Sequence, residues 1–322
     1  MSRLKFISIL GAVVVLLVTL DLAPFVSTQA TVASSERYIL PGDAVFPEGI
    51  AYQPTTGNFF VSSTRDGTIF RGNVRKELAS VFLQGGSDGR TTANGLKVDD
   101  NKGRLFVAGG KTGQIFVYDT TSGKLLSKFN NQKTSTLIND VAISPTGDAY
   151  FTDSLDPTLY KVFTNEAGEL VFEAWLDFTG TPLKYQSGIN LNGIAVSNDG
   201  KYLLVVQLNT GRLFRIDIAS KQVTEVDLGG KTLTNGDGIL VSRRRNLYVV
   251  RNKHQQIVKV QLSSDFSRGT VVSSRTDPSF AFPTTIAQNG NRLLVVNSQF
   301  DKRDSGQTPD LPFTVSSVPF KE

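Results

Sequence analysis

The chain has no cysteine, one histidine, one tryptophan and one methionine in 322 residues. Without thiols there is no disulfide, no lipid-anchored cysteine, no thiolate nucleophile and no sulfur-ligated metal. The lone histidine, His254, excludes a histidine dyad, and any Ser-His-Asp triad would rest on it alone. It stands in Lys253-His254-Gln255-Gln256, which reads as a solvated turn, with a place on the rim of a site as the alternative. Helical periodicity is missing beyond the N-terminus, and the net charge is only +5. The one basic run, Arg243-Arg244-Arg245, falls in a predicted hairpin turn with no aromatic beside it, so nucleic-acid binding is not expected.

Long apolar runs are equally scarce. The run over residues 6–20 is shorter than the roughly 20 apolar residues that a membrane span needs. Arg3 and Lys5 precede it, and Asp21, Pro24 and small residues around Ala30 and Ala33 follow, the layout of a secretory signal peptide. Residues 1–30 are therefore expected to be a signal peptide cleaved near Ala30 or Ala33, with an uncleaved anchor as the alternative. The mature chain is expected to be exported, periplasmic or secreted, and to keep no stable membrane span after cleavage. No Asn-x-Ser/Thr site occurs, which favours a bacterial envelope.

What is present is a repeat. Residues 191–217 split into apolar runs at 194–196, 202–206 and 213–216, separated by Asn198-Asp199-Gly200 and Asn209-Thr210-Gly211. Those separators tolerate positive φ, so the segment is predicted as an antiparallel three-strand meander. Asn192 stands just ahead of its first strand. Equivalent anchors read Pro47-Glu48-Gly49-Ile50-Ala51, Ala93-Asn94-Gly95-Leu96-Lys97, Ile138-Asn139-Asp140-Val141-Ala142, Gly236-Asp237-Gly238-Ile239-Leu240 and Pro283-Thr284-Thr285-Ile286-Ala287. The step from one anchor to the next is 45 to 53 residues, the period of four-stranded propeller blades.

The expected fold is all-β: a six-bladed β-propeller forming a single domain over residues 36–322. Its last repeat shows only three strands, at 286–288, 293–297 and 313–318, and residues 38–40 are predicted to add the fourth. Closure by that N-terminal strand in the last blade removes exposed sheet edges. The Gly-Gly-Lys-Thr strings at Gly109 and Gly229 lack the earlier glycine of a phosphate loop and are read as hairpin turns.

Propeller topology places the loop before each inner strand and the turn after the second strand at the same end. Ser62, Asp153, Gln207, Arg251, Asn252 and Asn297 are thus expected beside the anchors, with residues 299–311 overhanging them as a lid. The channel mouth would then be lined by Glu48, Asn94, Asn139, Asp140, Asn192 and Asp237. Two carboxylates with neutral amide oxygens form a hard-oxygen set of the sort that holds Ca²⁺. The plainer alternative is that Asn-Gly and Asp-Gly only shape turns. Asp153 either caps its own turn or faces the cavity as a second acid or an outer partner of Asn139 or Asp140.

Phe46-Pro47-Glu48-Gly49, Ile138-Asn139-Asp140, Leu191-Asn192-Gly193-Ile194-Ala195 with Asn198-Asp199-Gly200, and Gly236-Asp237-Gly238 resemble the calcium-site segments of the senescence marker protein 30, gluconolactonase and paraoxonase-like six-bladed propellers. The strictosidine synthase-like proteins are relatives in fold, and the resemblance covers residues 48–318. It implies one Ca²⁺ at the axis held by Glu48, Asn139, Asn192 and Asp237, with Asn94 contacting substrate or a metal-bound water. It also implies Asp237 as the candidate catalytic base, although a carboxylate bound to metal is a weak base. Asp140 and Asp153 complete the candidate substrate contacts. Paraoxonase-like enzymes place histidines near their calcium, and this chain departs from them there.

The function expected is an exported calcium-dependent hydrolase of small-molecule lactones or related esters. Its alternatives are a non-catalytic small-molecule or protein-binding propeller with a structural Ca²⁺, and a non-hydrolytic biosynthetic enzyme.

Overall fold

The computed structural model describes residues 36–320, so the expected signal peptide lies outside the described residues. The described chain is all-β apart from short helical turns. It opens with β1 (Arg37–Leu40) and continues into a meander of β2 (Pro47–Gln53), β3 (Asn58–Ser63), β4 (Ile69–Asn73) and β5 (Lys76–Leu83). A second meander holds β6 (Leu96–Asp99), β7 (Arg104–Ala108), β8 (Gln114–Asp119) and β9 (Leu125–Asn130). The third holds β10 (Ile138–Ile143), β11 (Ala149–Asp153), β12 (Thr158–Thr164) and β13 (Leu170–Asp177). The fourth holds β14 (Leu191–Val196), β15 (Tyr202–Gln207), β16 (Leu213–Asp217) and β17 (Val223–Glu225). The fifth holds β18 (Gly236–Val241), β19 (Asn246–Arg251), β20 (Gln256–Leu262) and β21 (Gly269–Arg275). The last comprises β22 (Pro283–Asn289), β23 (Arg292–Asn297), the helical turn α1 (Phe300–Ser305) and β24 (Phe313–Pro319).

The N-terminal strand closes the arrangement as the three-stranded last repeat required. β1 runs antiparallel to β24, pairing Arg37 with Ser316 and Leu40 with Phe313. It also touches β5 in parallel, Ile39 opposite Leu78, which fuses the first and last meanders into one eight-stranded sheet. That second pairing was not legible in the sequence, since nothing local marks β5 as a partner.

Second strands such as β15, Tyr-Leu-Leu-Val-Val-Gln, are apolar in consecutive positions because both faces of each sheet are covered. Six apolar clusters fill the spaces between sheets, and each draws its residues from two consecutive meanders. One of them joins Tyr38, Phe59 and Val61 to Leu294, Val296 and Phe313, linking first meander to last.

The first strands meet one another in cyclic order, and glycines make this possible. A β-carbon on Gly49 would fall within 3.0 Å of Asn94 and Gly95 backbone atoms, one on Gly193 would strike the Asp237 carbonyl, and one on Gly238 would strike Thr285. None of these glycines has positive φ. The Asn-Gly and Asp-Gly pairs are therefore not turn formers here: glycine is needed because each anchor packs against the next.

Candidate functional site

The ladder itself aims the anchor side chains. Register shifts interrupt the first pairing of five meanders at the same point: Pro47/Ile50, Ile138/Val141, Leu191/Ile194, Gly236/Ile239 and Pro283/Ile286. Each bulge takes the anchor residue out of regular alternation, a device that re-aims side chains. The ends of the second strands lie opposite, with Ser63 across from Pro47, Asp153 from Ile138, Gln207 from Leu191, Arg251 from Gly236 and Asn297 from Pro283. They stand at the anchor end; in the first meander the residue across is Ser63, while the expected Ser62 accepts a hydrogen bond from the Gly49 amide at 2.7 Å.

Five of the predicted residues, Glu48, Asn94, Asn139, Asn192 and Asp237, line one cavity of about 730 Å³. Asn252 joins them, with Leu137, Ile189, Leu208, Phe282 and Phe300 as apolar wall. Glu48, Asn139, Asn192 and Asp237 are each at most 5% exposed. Asn139 Nδ2 donates to Ser154 Oγ at 2.8 Å, and Asn252 Nδ2 donates to Asp237 Oδ2 at 2.7 Å. Each of the four then keeps one buried oxygen without a hydrogen-bond partner: Glu48 Oε2, Asn139 Oδ1, Asn192 Oδ1 and Asp237 Oδ1. Unpaired buried acceptors are costly, so four at one cavity call for a shared electropositive partner.

The electrostatics agree. Burial pushes the Glu48 carboxyl well above the usual range, and the charges of Asp237 and Asp140 push it further while Arg303 draws it back. Asp237 is raised by burial to about 7, restrained by hydrogen bonds from Asn252 and Asn192 and raised again by Asp140. Among the described residues no three His, Asp or Glu side chains gather as a metal-ligating group. The set on offer is two carboxylates and two amides, all hard oxygen, which suits a cation such as Ca²⁺ and not a soft metal.

Two predicted substrate contacts lie elsewhere. Asp153 is fully buried and its carboxylate is taken up locally: Oδ1 accepts from the amides of Leu137 (2.9 Å), Leu155 (2.9 Å) and Asp156 (3.0 Å), and Oδ2 from Thr136 and Asn131. It caps its turn and does not line the cavity. Asp140 does not line it either; its oxygens accept from the amides of Val141 (2.8 Å) and Ile194 (3.2 Å). Burial raises Asp140 to about 6, against the opposing pull of Lys97. Asp140 thus serves the channel as a strand-to-strand bridge. His254 is exposed in a short helical turn, its Nε2 3.3 Å from Asn235 Nδ2, and is not among the lining residues.

The expected lid does reach the cavity. Its segment contains the helical turn α1, from which Phe300, Arg303 and Asp304 line the site. Gln299 Nε2 donates to Asp310 O and Gln299 Oε1 accepts from the Asp310 amide, both at 2.7 Å, closing the loop on itself. Lys111, Lys253 and Arg303, none of them named from the sequence as cavity residues, also line the site. Lys253 stands one residue past Asn252, which was assigned to that face, and Lys111 lies in the turn from Gly109 to Thr112 that follows β7.

A profile of the SMP-30/Gluconolactonase/LRE-like region matches residues 46–295, and the chain belongs to that family. Lactonase drp35 of Staphylococcus haemolyticus is 27% identical over 270 residues, 77% of each chain. For lactonase drp35 of Staphylococcus saprophyticus the match is 27% over 187 residues, 56% of this chain and only 54% of that one. In fold the chain is similar to a calcium-binding protein, regucalcin, from Agrobacterium tumefaciens, with a TM-score of 0.61 at 16% identity over 89% of this chain and 96% of that one.

Proposed function

We propose that the protein is a lactonase-type hydrolase of lactones or related esters, built as a closed six-bladed propeller and exported from the cell. The observation that carries the reading is the set of four unpartnered buried oxygens, one each from Glu48, Asn139, Asn192 and Asp237. These residues would hold Ca²⁺, whose two charges balance the two carboxylates. When bound, the ion supplies a Lewis acid for the substrate carbonyl. The relatives named lactonase and the calcium-binding regucalcin support the same reading.

The chain's own residues do the rest. Asn252 fixes the Asp237 carboxylate through Oδ2, so Oδ1 is the oxygen left for the cavity. We place Asp237 as the group that accepts the proton of the attacking water, because its carboxylate is fixed at the cavity by Asn252 beside the carbonyl's site. Asn94 contributes a side chain to the same wall for substrate contact. Leu137, Ile189, Leu208, Phe282 and Phe300 bind the apolar part of the substrate and limit access of water. In the balanced step water's oxygen bonds to the acyl carbon, the acyl–oxygen bond breaks and the proton passes to the departing alkoxide.

The test is calcium content and turnover of a panel of lactones and aryl esters, before and after chelation. Stoichiometric calcium with chelator-sensitive hydrolysis is expected. Bound calcium without hydrolysis would leave a binding propeller, and absence of calcium would overturn the site.

A further inference from the structure

The same cavity carries a second charge pattern. Its buried part holds Glu48 and Asp237, whereas its exposed lining holds three cations, Lys111, Lys253 and Arg303, and one acid, Asp304. The cations come from three separate elements: the turn after β7, the helical turn after β19, and α1. Lys111 and Lys253, like most of the described lysines, have no carboxylate partner, and what sets them apart is that they line this cavity. Arg303 is held in place, its guanidinium 3.8 Å over the Phe300 ring, with Nη1 donating to Thr64 Oγ1 at 3.3 Å and Nε to Asp304 Oδ1 at 2.9 Å.

We propose that the cavity's ligand bears a carboxylate, seated against Lys111, Lys253 and Arg303; on the hydrolase reading above, the substrate is a small ester or lactone with that carboxylate remote from the scissile bond. Orientation follows from charge. Calcium's two charges are balanced by Glu48 and Asp237 in the buried part, so the uncompensated positive charge open to a carboxylate lies with the exposed cations, and the carbonyl is the end that enters. Unpaired cations at a cleft also steer anions toward it.

The experiment compares kcat/KM for 4-carboxyphenyl acetate and 4-carbamoylphenyl acetate, with the calcium-loaded full chain and its Lys111→Gln/Lys253→Gln variant. A preference for the carboxylate is expected in the native chain. The double variant should lower that preference by about 3- to 10-fold, the size of two exposed charge contacts, and 1 M salt should lower it similarly. The Lys111→Arg/Lys253→Arg variant should keep it. Equal rates on the two esters, or a preference that the double variant retains, would overturn the proposal. Calorimetric binding of 4-methoxybenzoate against 4-methoxybenzamide separates this from the hydrolase reading. If neither ester is turned over, tighter benzoate binding that the double variant loses still supports the carboxylate site, and equal binding of the two rejects it.

Discussion

Asn252 Nδ2 lies 2.7 Å from Asp237 Oδ2, so the turn after β19 holds the carboxylate at the start of β18. Partners that orient metal ligands commonly contribute 10–100-fold to affinity. Asn252→Ala is therefore expected to weaken calcium binding by about 10- to 100-fold, as measured by titration calorimetry on chelated protein. An unchanged affinity would mean that Asp237 is not a ligand.

Asp237→Ala should remove both bound calcium and turnover, because it deletes a ligand oxygen and the proposed proton acceptor together. His254→Ala should leave kcat/KM within about two-fold, as expected of an exposed turn residue away from the lining. Loss of activity in His254→Ala with calcium retained would show that the reacting groups lie elsewhere.

Gly193→Ala adds a methyl that cannot fit beside the Asp237 carbonyl. Overpacking of this kind costs about 1–3 kcal/mol and shifts backbone, and here the shifted segment carries two of the four oxygens. Urea unfolding should show that loss, with calcium affinity falling alongside. Native-like values of both would place the two strands further apart than described.

Tyr38 is fully buried and its ring centroid lies 4.8 Å from that of Phe59. Tyr38→Ala should cost about 3–5 kcal/mol, the range for truncating a buried aromatic, and should expose the edges of β24 and β5 that β1 covers. Chemical denaturation and light scattering would report the two effects. A cost under about 1 kcal/mol would show that the ring holds without β1.

Chelated protein should lose stability as pH rises. Burial raises Asp237 to about 7 and Asp140 to about 6 in the folded state, above ordinary carboxylates, so the native chain holds more protons than the unfolded one between pH 4 and 7. That contribution is fully present below about pH 4 and disappears as pH climbs through 6 and 7. Calcium should reverse the trend, since it binds the ionised carboxylates. Thermal unfolding across pH 4–8, with and without calcium, would check both slopes; identical slopes would remove Glu48 and Asp237 as ligands.

The repeat was legible because it is local. Period, turn residues and apolar runs fix six meanders from short windows, and the missing strand of the last meander pointed to β1. The anchors were legible as well, but the reason for their glycines was not: the plainer alternative of turn formation does not apply, since they allow strands to approach and are not in turn conformations. Asp153 stayed undecided, since a carboxylate at a strand end suits a cap and a cavity equally until its neighbours are known.

By itself, the sequence determined the all-β repeat, the absence of thiol and histidine-dyad chemistry, and the acid and amide residues at each inner strand, all of which depend on residue type and short-range spacing. Only the tertiary structure decided which oxygens keep no partner. It alone gave Asp153 to its own turn and Asp140 to a neighbouring strand, and it alone brought Lys111, Lys253 and Arg303 to one cavity. Arg303 meets Thr64 across 239 residues of chain. Such meetings follow from bulge positions and ring closure, which pack elements by shape and burial over distances that no local pattern encodes.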